Sequence, residues 1–320
     1  MLKHSNNNIS GPVFLIMTGF NCNNNCVMCS VRPKGLHYVP RSSAEIIKDL
    51  KHGRELKYVR VEFTGGEPTM REDLLKLISN AKKLGYAEIA LSTNGRKLSS
   101  LEYLGSLQKH GLNRVTSTLY SSQEAIHDSI TRVPGSFKQT IKGIQNAVTL
   151  EIITSVNTVV FNKTVNGLQR TGKFIASLGV KYWAILDLIP DGYAATNYET
   201  LIAKPQSLHL AFRSLRPALL LFNVVSFFDF PYCSFPNTLL ESPVANIITA
   251  KGRVDTINTV GYNPNRFQKK HEIYYDLHKE RLLKCVECAY NKECGGIWNV
   301  HNTLYEGKFL KPFKAKITKL

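Results

Sequence analysis

Residues 58–85 read YVRVEFTGGEPTMREDLLKLISNAKKLG, and the character of the chain changes halfway through them. YVRVEF is rich in β-branched and aromatic side chains and reads as a strand, whereas REDLLKLISNAKKLG reads as a helix. The loop between them holds Gly65, Gly66, Glu67 and Pro68. The same succession recurs on both sides. VFLIMT (13–18) precedes SAEIIKDLKHGREL (43–56), EIALS (88–92) precedes SSLEYLGSLQKHG (99–111), and RVTSTLY (114–120) precedes GSFKQTIKGIQNAVTL (135–150). In the last of these helices Phe137, Ile141, Ile144 and Val148 share one face. IITSVNTVV (152–160) and YWAILDL (182–188) are followed by helical stretches at 165–179 and 205–222. Six β-then-α units predict an α/β fold, a partial (β/α)6 TIM barrel two units short of closure. Chemistry is then expected at the carboxyl ends of the strands.

Past residue 222 the pattern changes. FFDFPYCSFPN (227–237) is aromatic and turn-rich. VANIITAKGRVDTINTVGY (244–262) predicts a β-hairpin turning at Lys251-Gly252, and HEIYYDLHKERLLK (271–284) predicts a helix. The expected organisation is a barrel over 1–222 and a small hairpin-plus-helix extension over 223–320.

The composition is that of an ordinary soluble globular protein, with 43% hydrophobic and 20% charged residues in 320. The apolar run VFLIMT is too short to span a membrane and lacks the flanks of a secretory signal, so a cytoplasmic location without membrane attachment is expected. The formal net charge of +17 is dispersed. It suits nucleotides, phosphorylated metabolites, nucleic acid or acidic peptides, and equally a merely solvated basic surface.

Seven cysteines fall in two groups: Cys22, Cys26 and Cys29 near the start, and Cys233, Cys285, Cys288 and Cys294 towards the end. An odd number in a reducing compartment argues against disulfides, and the bunching argues for metal ligation. Three thiolates in one loop suit an iron–sulfur cluster with an open iron, or a zinc ion if His37 adds a fourth ligand. Four thiolates fully ligate either a four-iron cluster or zinc.

Taken together, the triplet after strand one, GGEP after strand two, LSTNG at strand three and STLYSS at strand four resemble the radical S-adenosylmethionine (SAM) enzymes over roughly the first 220 residues. The resemblance implies that Cys22, Cys26 and Cys29 hold a [4Fe-4S] cluster whose open iron binds SAM, and that one electron then releases a 5′-deoxyadenosyl radical. It implies that Gly65, Gly66, Glu67 and Pro68 bind the amino group of SAM's methionine. It also implies further contacts from Ser92, Thr93 and Asn94, from Thr118 (usually serine in the family), from Arg132 to the SAM carboxylate, and from Asn157 to the ribose or methionine part. Met28 stands where an aromatic residue is common, and its thioether can cover the adenine face. Read singly, each of these is an ordinary turn or strand-end polarity; their order is the signal.

The second cysteine group resembles a twitch or shortened SPASM extension, which implies a second, auxiliary [4Fe-4S] cluster. If all seven cysteines are ligands, no thiol remains to return a hydrogen. An outcome that loses a second electron then fits best: oxidative cross-linking or dehydrogenation. A ribosomally made peptide is the first substrate expectation; the second is a dehydrogenase or rearrangement enzyme acting on an aminoglycoside-like sugar or a nucleotide. The GTP-cyclising relative spaces its C-terminal cysteines differently and has a Gly-Arg-Arg-like tail where this chain reads KITKL. A one-electron reductant such as flavodoxin or ferredoxin is implied. So is a separate leader-peptide-binding protein for a peptide substrate, because only about a dozen residues precede strand one. A non-enzymatic zinc or nucleic-acid-binding protein is a third reading, but it gives no reason for GGEP and STN at strand ends. Asp187, Asp191 and Tyr193, after strand six, are candidates to hold a substrate amine or hydroxyl, set against simple Pro-Asp-Gly turn polarity. His301 reads as an ordinary surface histidine.

Overall fold

The computed structural model describes residues 11–31, 41–249, 257–260 and 278–318. Nine strands make one sheet: β1 (Val13–Met17), β2 (Arg60–Thr64), β3 (Glu88–Thr93), β4 (Arg114–Thr118), β5 (Ile153–Val160), β6 (Tyr182–Asp187), β7 (Val224–Phe228), β8 (Ala245–Ile248) and β9 (Ile257–Val260). Their order is β8-β7-β6-β5-β4-β3-β2-β1-β9, and every neighbouring pair is parallel. Parallel neighbours need crossovers. These are supplied by α1 (Ser43–Glu55), α2 (Leu74–Lys83), α3 (Leu101–His110), α4 (Glu124–Thr131), α5 (Ser136–Thr149) and α6 (Leu168–Ser177), then by a helix over Pro205–Ser214. α1 starts sharply because Ser42 and Glu45 form a reciprocal capping box. The result is an α/β partial barrel, open between β8 and β9.

Strand alternation divides this barrel into two environments. Phe14, Ile16, Val61, Phe63, Ile89, Leu91 and Val115 are buried against Ile46, Leu50, Leu74, Leu77, Leu104 and Leu107 of α1 to α3. Val156, Trp183, Ile185, Val225 and Phe227 pack with Ile144, Leu168, Ile175 and Phe212 in the other half. Full burial of each such side chain contributes about 1.5–3 kcal/mol before entropy is counted. On β2, β3 and β4 the intervening positions begin with the charged residues Arg60, Glu88 and Arg114. Glu88 pairs with Arg60 at 2.8 Å and with Arg114 at 3.0 Å. Burial, with Glu88 adding, raises the Glu62 carboxyl to about 7, against the lowering pull of Arg114 and Arg60. Further along the same strand faces, Thr64, Ser92, Thr118, Val159 and Leu186 reach a cavity at the carboxyl ends.

The first six strands stand where expected, but the sheet does not stop at six. Val225 and Phe227 alternate inward along VVSFF, so the stretch after residue 222 continues the sheet as β7. The expected hairpin is also corrected. β8 pairs with β7 and β9 with β1, at opposite edges, because each adds to an open parallel edge instead of to the other. The Lys251-Gly252 turn itself lies outside the described residues, as does His37. The helix expected over 271–284 does not run into the cysteines either. Residues 271–277 lie outside the described set, while β10 (Lys279–Glu280) pairs antiparallel with β11 (Ile297–Trp298) and Leu283–Cys285 is a single 3-10 turn. Gly296, at φ +83, permits that pairing, since a side chain there would overlap the Glu280 carbonyl. A short helix, Asn299–Tyr305, follows.

Candidate active site

The loop after β1 is fixed by backbone bonds from several elements. Asn25 N–H donates to Thr131 O and Val27 N–H to Ile130 O, both at 2.9 Å, so the end of α4 carries the loop. Tyr193 N–H donates to Cys29 O at 2.9 Å. Arg96 donates to Asn23 O and, at 3.0 Å, to Asn24 Oδ1. Cys22, Cys26 and Cys29 are thereby turned to the wall of a cavity of about 250 Å³, together with Met28, Gly65, Gly66, Ser92, Thr93, Asn94, Thr118 and Asp187. Residues more than 160 positions apart in the chain thus line one space.

The GGEP loop serves first to hold the cysteine loop. Gly66 N–H donates to Gly19 O at 2.8 Å and Glu67 N–H to Asn21 O at 2.7 Å. A methyl at Gly66 would overlap the backbone of Phe20 and Asn21, and one at Gly65 the Gly19 carbonyl. The buried Glu67 carboxylate is engaged by protein donors: Thr69 N and Oγ1 at 3.1 and 2.6 Å, Thr93 Oγ1 at 2.6 Å and Asn94 N at 2.6 Å. It ties β2 to β3, which leaves the loop's backbone to face the cavity. Pro68 opens a buried 3-10 turn behind it. Gly66→Ala is therefore expected to cost about 1–3 kcal/mol by overpacking and to weaken iron retention. Thermal unfolding and iron analysis of the variant check this.

Other expected residues fall elsewhere. Arg132 is exposed and takes φ 56 as the left-handed cap of α4, so it is not among the cavity-lining residues. The surrounding stretch HDSITRVPGSF (127–137) acts through Asp128, whose carboxylate accepts from Gly135 N, Ser136 Oγ and Phe137 N at 2.7–2.8 Å and so staples α4 to α5. Asn157 lies one step down β5 from the lining residue Val159. Asp191 caps the turn Gly192–Thr196 through Gly192 N, at 2.8 Å, and Tyr193 contributes the backbone tie to Cys29 already described. Asp187 does line the cavity. It accepts from Leu188 N at 2.9 Å and Trp298 Nε1 at 3.0 Å. Burial raises its carboxyl to about 7, with Lys279 opposing and Asp229 adding.

Sequence reasoning missed Tyr120, Thr64, Trp298 and Lys279. Thr64 carries the strand-end signal already used for Ser92. Tyr120 lies two residues beyond Thr118, past the end of β4. Trp298 and Lys279 reach the barrel only through the tertiary fold: Lys279 Nζ sits 4.4 Å from the Trp298 ring centre and donates to Asp229 O. His301 is buried, not a surface residue. Its ring stacks on Phe309 at 4.9 Å, and burial lowers its pKa to about 4.

The Radical SAM superfamily matches residues 16–175, half of the chain. The chain belongs to this superfamily. It is 31% identical over 179 residues to a probable GTP 3′,8-cyclase of Sulfurisphaera tokodaii, covering 56% of each protein. It is 30% identical over 173 residues to one of Saccharolobus islandicus, covering 53% of this chain and 55% of that protein. The chain thus spans about half the length of the curated relatives it matches. Among solved structures it is similar to Streptococcus suis SuiB bound to precursor peptide SuiA, at TM-score 0.61 and 14% identity over 97% of this chain and 76% of that one. It is also similar to anSMEcpe with bound AdoMet, at 0.51 and 17% over 65% and 61%. At these identities the likeness concerns the fold.

A radical SAM enzyme uses SAM and a [4Fe-4S] cluster, and needs a substrate and a reductant. The first cysteine loop fits such a cluster. Burial, reinforced by Cys29 and Cys22, raises the Cys26 thiol to about 12, an arrangement of mutually repelling donors that a bound cationic metal centre reverses. The C-terminal thiols also converge. Cys233, Cys285, Cys288 and Cys294 line one small cavity of about 30 Å³, which Pro231, Gly296 and Ile297 help to close. Burial, then Cys294, raises the Cys233 thiol to about 12. Among the described residues no three His, Cys, Asp or Glu side chains gather tightly enough for a single ion. Cys22, Cys26 and Cys29 instead form part of the wall of the first cavity, and the four C-terminal cysteines part of the wall of the second. Also among the described residues, no helix is long and apolar enough to cross a membrane.

Proposed function

We propose that this radical SAM enzyme completes an oxidative modification, a cross-link or a dehydrogenation, of a ribosomally made peptide, using a second [4Fe-4S] cluster as electron acceptor. The observation that carries this reading is the convergence of Cys233, Cys285, Cys288 and Cys294 on one cavity, in a segment that reaches the barrel mouth through Trp298 and Asp187. Cys22, Cys26 and Cys29 would hold the first cluster, with Gly65, Gly66, Ser92, Thr93, Asn94 and Thr118 around SAM. When bound, that pair would supply a 5′-deoxyadenosyl radical able to take one hydrogen atom from the substrate. The oxidation would then be balanced by one further electron leaving for the second site, together with one proton. With all seven thiols committed to metal, the protein has no cysteine S–H with which to reverse the first step. The residues of the barrel mouth hold the substrate, Asp187 through a hydroxyl or amine. In this reading the auxiliary unit comprises the Cys233 loop and residues 278–318. A cytoplasmic location, a flavodoxin- or ferredoxin-type reductant and a leader-binding partner belong to the same proposal.

A nucleotide substrate is the second reading, favoured by the names of the curated relatives and by the +17 charge. One experiment separates the two. The enzyme is co-expressed with any short peptide encoded beside its gene, and the purified protein is separately incubated with SAM, dithionite and GTP. Loss of paired hydrogens from the peptide is expected, with GTP unchanged. An unaltered peptide mass together with consumption of GTP would reverse the order of the two readings.

A further inference from the structure

Tyr120 follows β4 and lines the SAM-side cavity, yet only its ring has apolar company. The ring is buried in a cluster with Met28, Ile130, Phe161 and Leu188, beside Cys26 and Val27. Its hydroxyl donates to Cys26 Sγ at 3.6 Å. Buried tyrosines normally place their hydroxyl on a good acceptor. A neutral thiol is a weak acceptor, whereas a metal-bound thiolate carries negative charge and accepts strongly. The hydroxyl is therefore matched to the liganded state of Cys26. The other sulfurs have different company: Cys22 Sγ accepts from the Asn24 amide at 3.4 Å and, distantly, from Asn94 Nδ2 at 3.9 Å.

We infer that Tyr120 is a positioning residue that donates a hydrogen bond to the Cys26 thiolate of the first cluster, and thereby makes that cluster easier to reduce. The inference rests on the assignment of Cys22, Cys26 and Cys29 to that cluster. Donation to a ligating sulfur withdraws electron density and stabilises the more negative, reduced state, so the reduction potential rises. Two structural features keep the donor in place. The Tyr120 ring lies 5.4 Å from that of His127, whose Nδ1 faces the Tyr120 amide at 3.4 Å, and the Cys26 segment is bonded to the end of α4, the helix that carries His127. The donor and the ligand therefore sit on the same support.

The test uses the anaerobically purified holoenzyme and follows, by redox titration, the electron paramagnetic resonance signal that changes when SAM is added. Tyr120→Phe is expected to keep its iron and to show a lower midpoint potential. It should also lose a deuteron coupling that the wild type shows after exchange into deuterated water. An unchanged midpoint with retained iron overturns the inference. If Tyr120→Phe sheds its cluster, trifluorotyrosine incorporated at position 120 decides the matter. Its more acidic hydroxyl is expected to raise the midpoint above that of the wild type, and an unmoved midpoint overturns the inference. The underlying assignment is checked separately. Persistence of the SAM-responsive signal in Cys22/Cys26/Cys29→Ala would remove the assignment itself, whereas its disappearance there leaves only the role of Tyr120 under test.

Discussion

Alanine at Cys22, Cys26 and Cys29 together is expected to remove about half of the iron and all SAM cleavage, measured as 5′-deoxyadenosine formed under dithionite. The three thiols lie on one short loop, and among the described residues nothing else lining the cavity offers three soft ligands in their place. The fold itself should survive. The loop is held by backbone bonds to Ile130, Thr131, Gly66 and Glu67 that do not involve the sulfurs. A circular dichroism spectrum close to that of the wild type is the control. Retained cleavage would move the first cluster elsewhere, and complete loss of iron would mean that the C-terminal thiols hold none of it.

The complementary replacement, Cys285, Cys288 and Cys294 by alanine, has the opposite profile. About half of the iron is again expected to go, but 5′-deoxyadenosine formation should continue, because the first cavity borrows none of its lining from residues 283–296. The modified product should fall more than about 100-fold, beyond the usual cost of losing an outer-shell contact. If the second site accepts the electron that follows hydrogen abstraction, its loss uncouples cleavage from product. Unimpaired product formation in this variant would make the second site structural. Loss of cleavage as well would mean that the C-terminal segment supports the first site, for which Trp298 and Asp187 provide a route.

How far the sequence foretold this arrangement depended on how local each signal was. The first six strands and one helix after each were legible because each carries its own periodicity, whereas the short α4 was not read. β7 was not, because FFDFPYC was read for its turn residues, although Val225 and Phe227 alternate as in any other strand. β8 and β9 look like a hairpin along the chain; their pairing at opposite edges depends on where the sheet is open, which no short window contains. Cys22, Cys26, Cys29, Gly65, Gly66, Ser92, Thr93, Asn94 and Thr118 were legible as strand-end positions and meet in the cavity. Glu67 and Asp128 were legible as polar residues but not as staples, since a carboxylate that binds its own protein looks the same in sequence as one that faces a ligand. Arg132 illustrates the converse: Asp128 of the same stretch staples two helices, but the arginine itself is an exposed helix cap. Tyr120, Lys279 and Trp298 depend on contacts across 94, 50 and 111 positions respectively, and carry no local mark.

The division of seven cysteines, three and four, between two clusters is tested most directly by iron and acid-labile sulfide counted per chain on protein purified without oxygen, with Mössbauer spectra to identify the centres. Two [4Fe-4S] clusters predict about eight of each. A count near four of each, with zinc filling the remainder, would contradict the account at the second site.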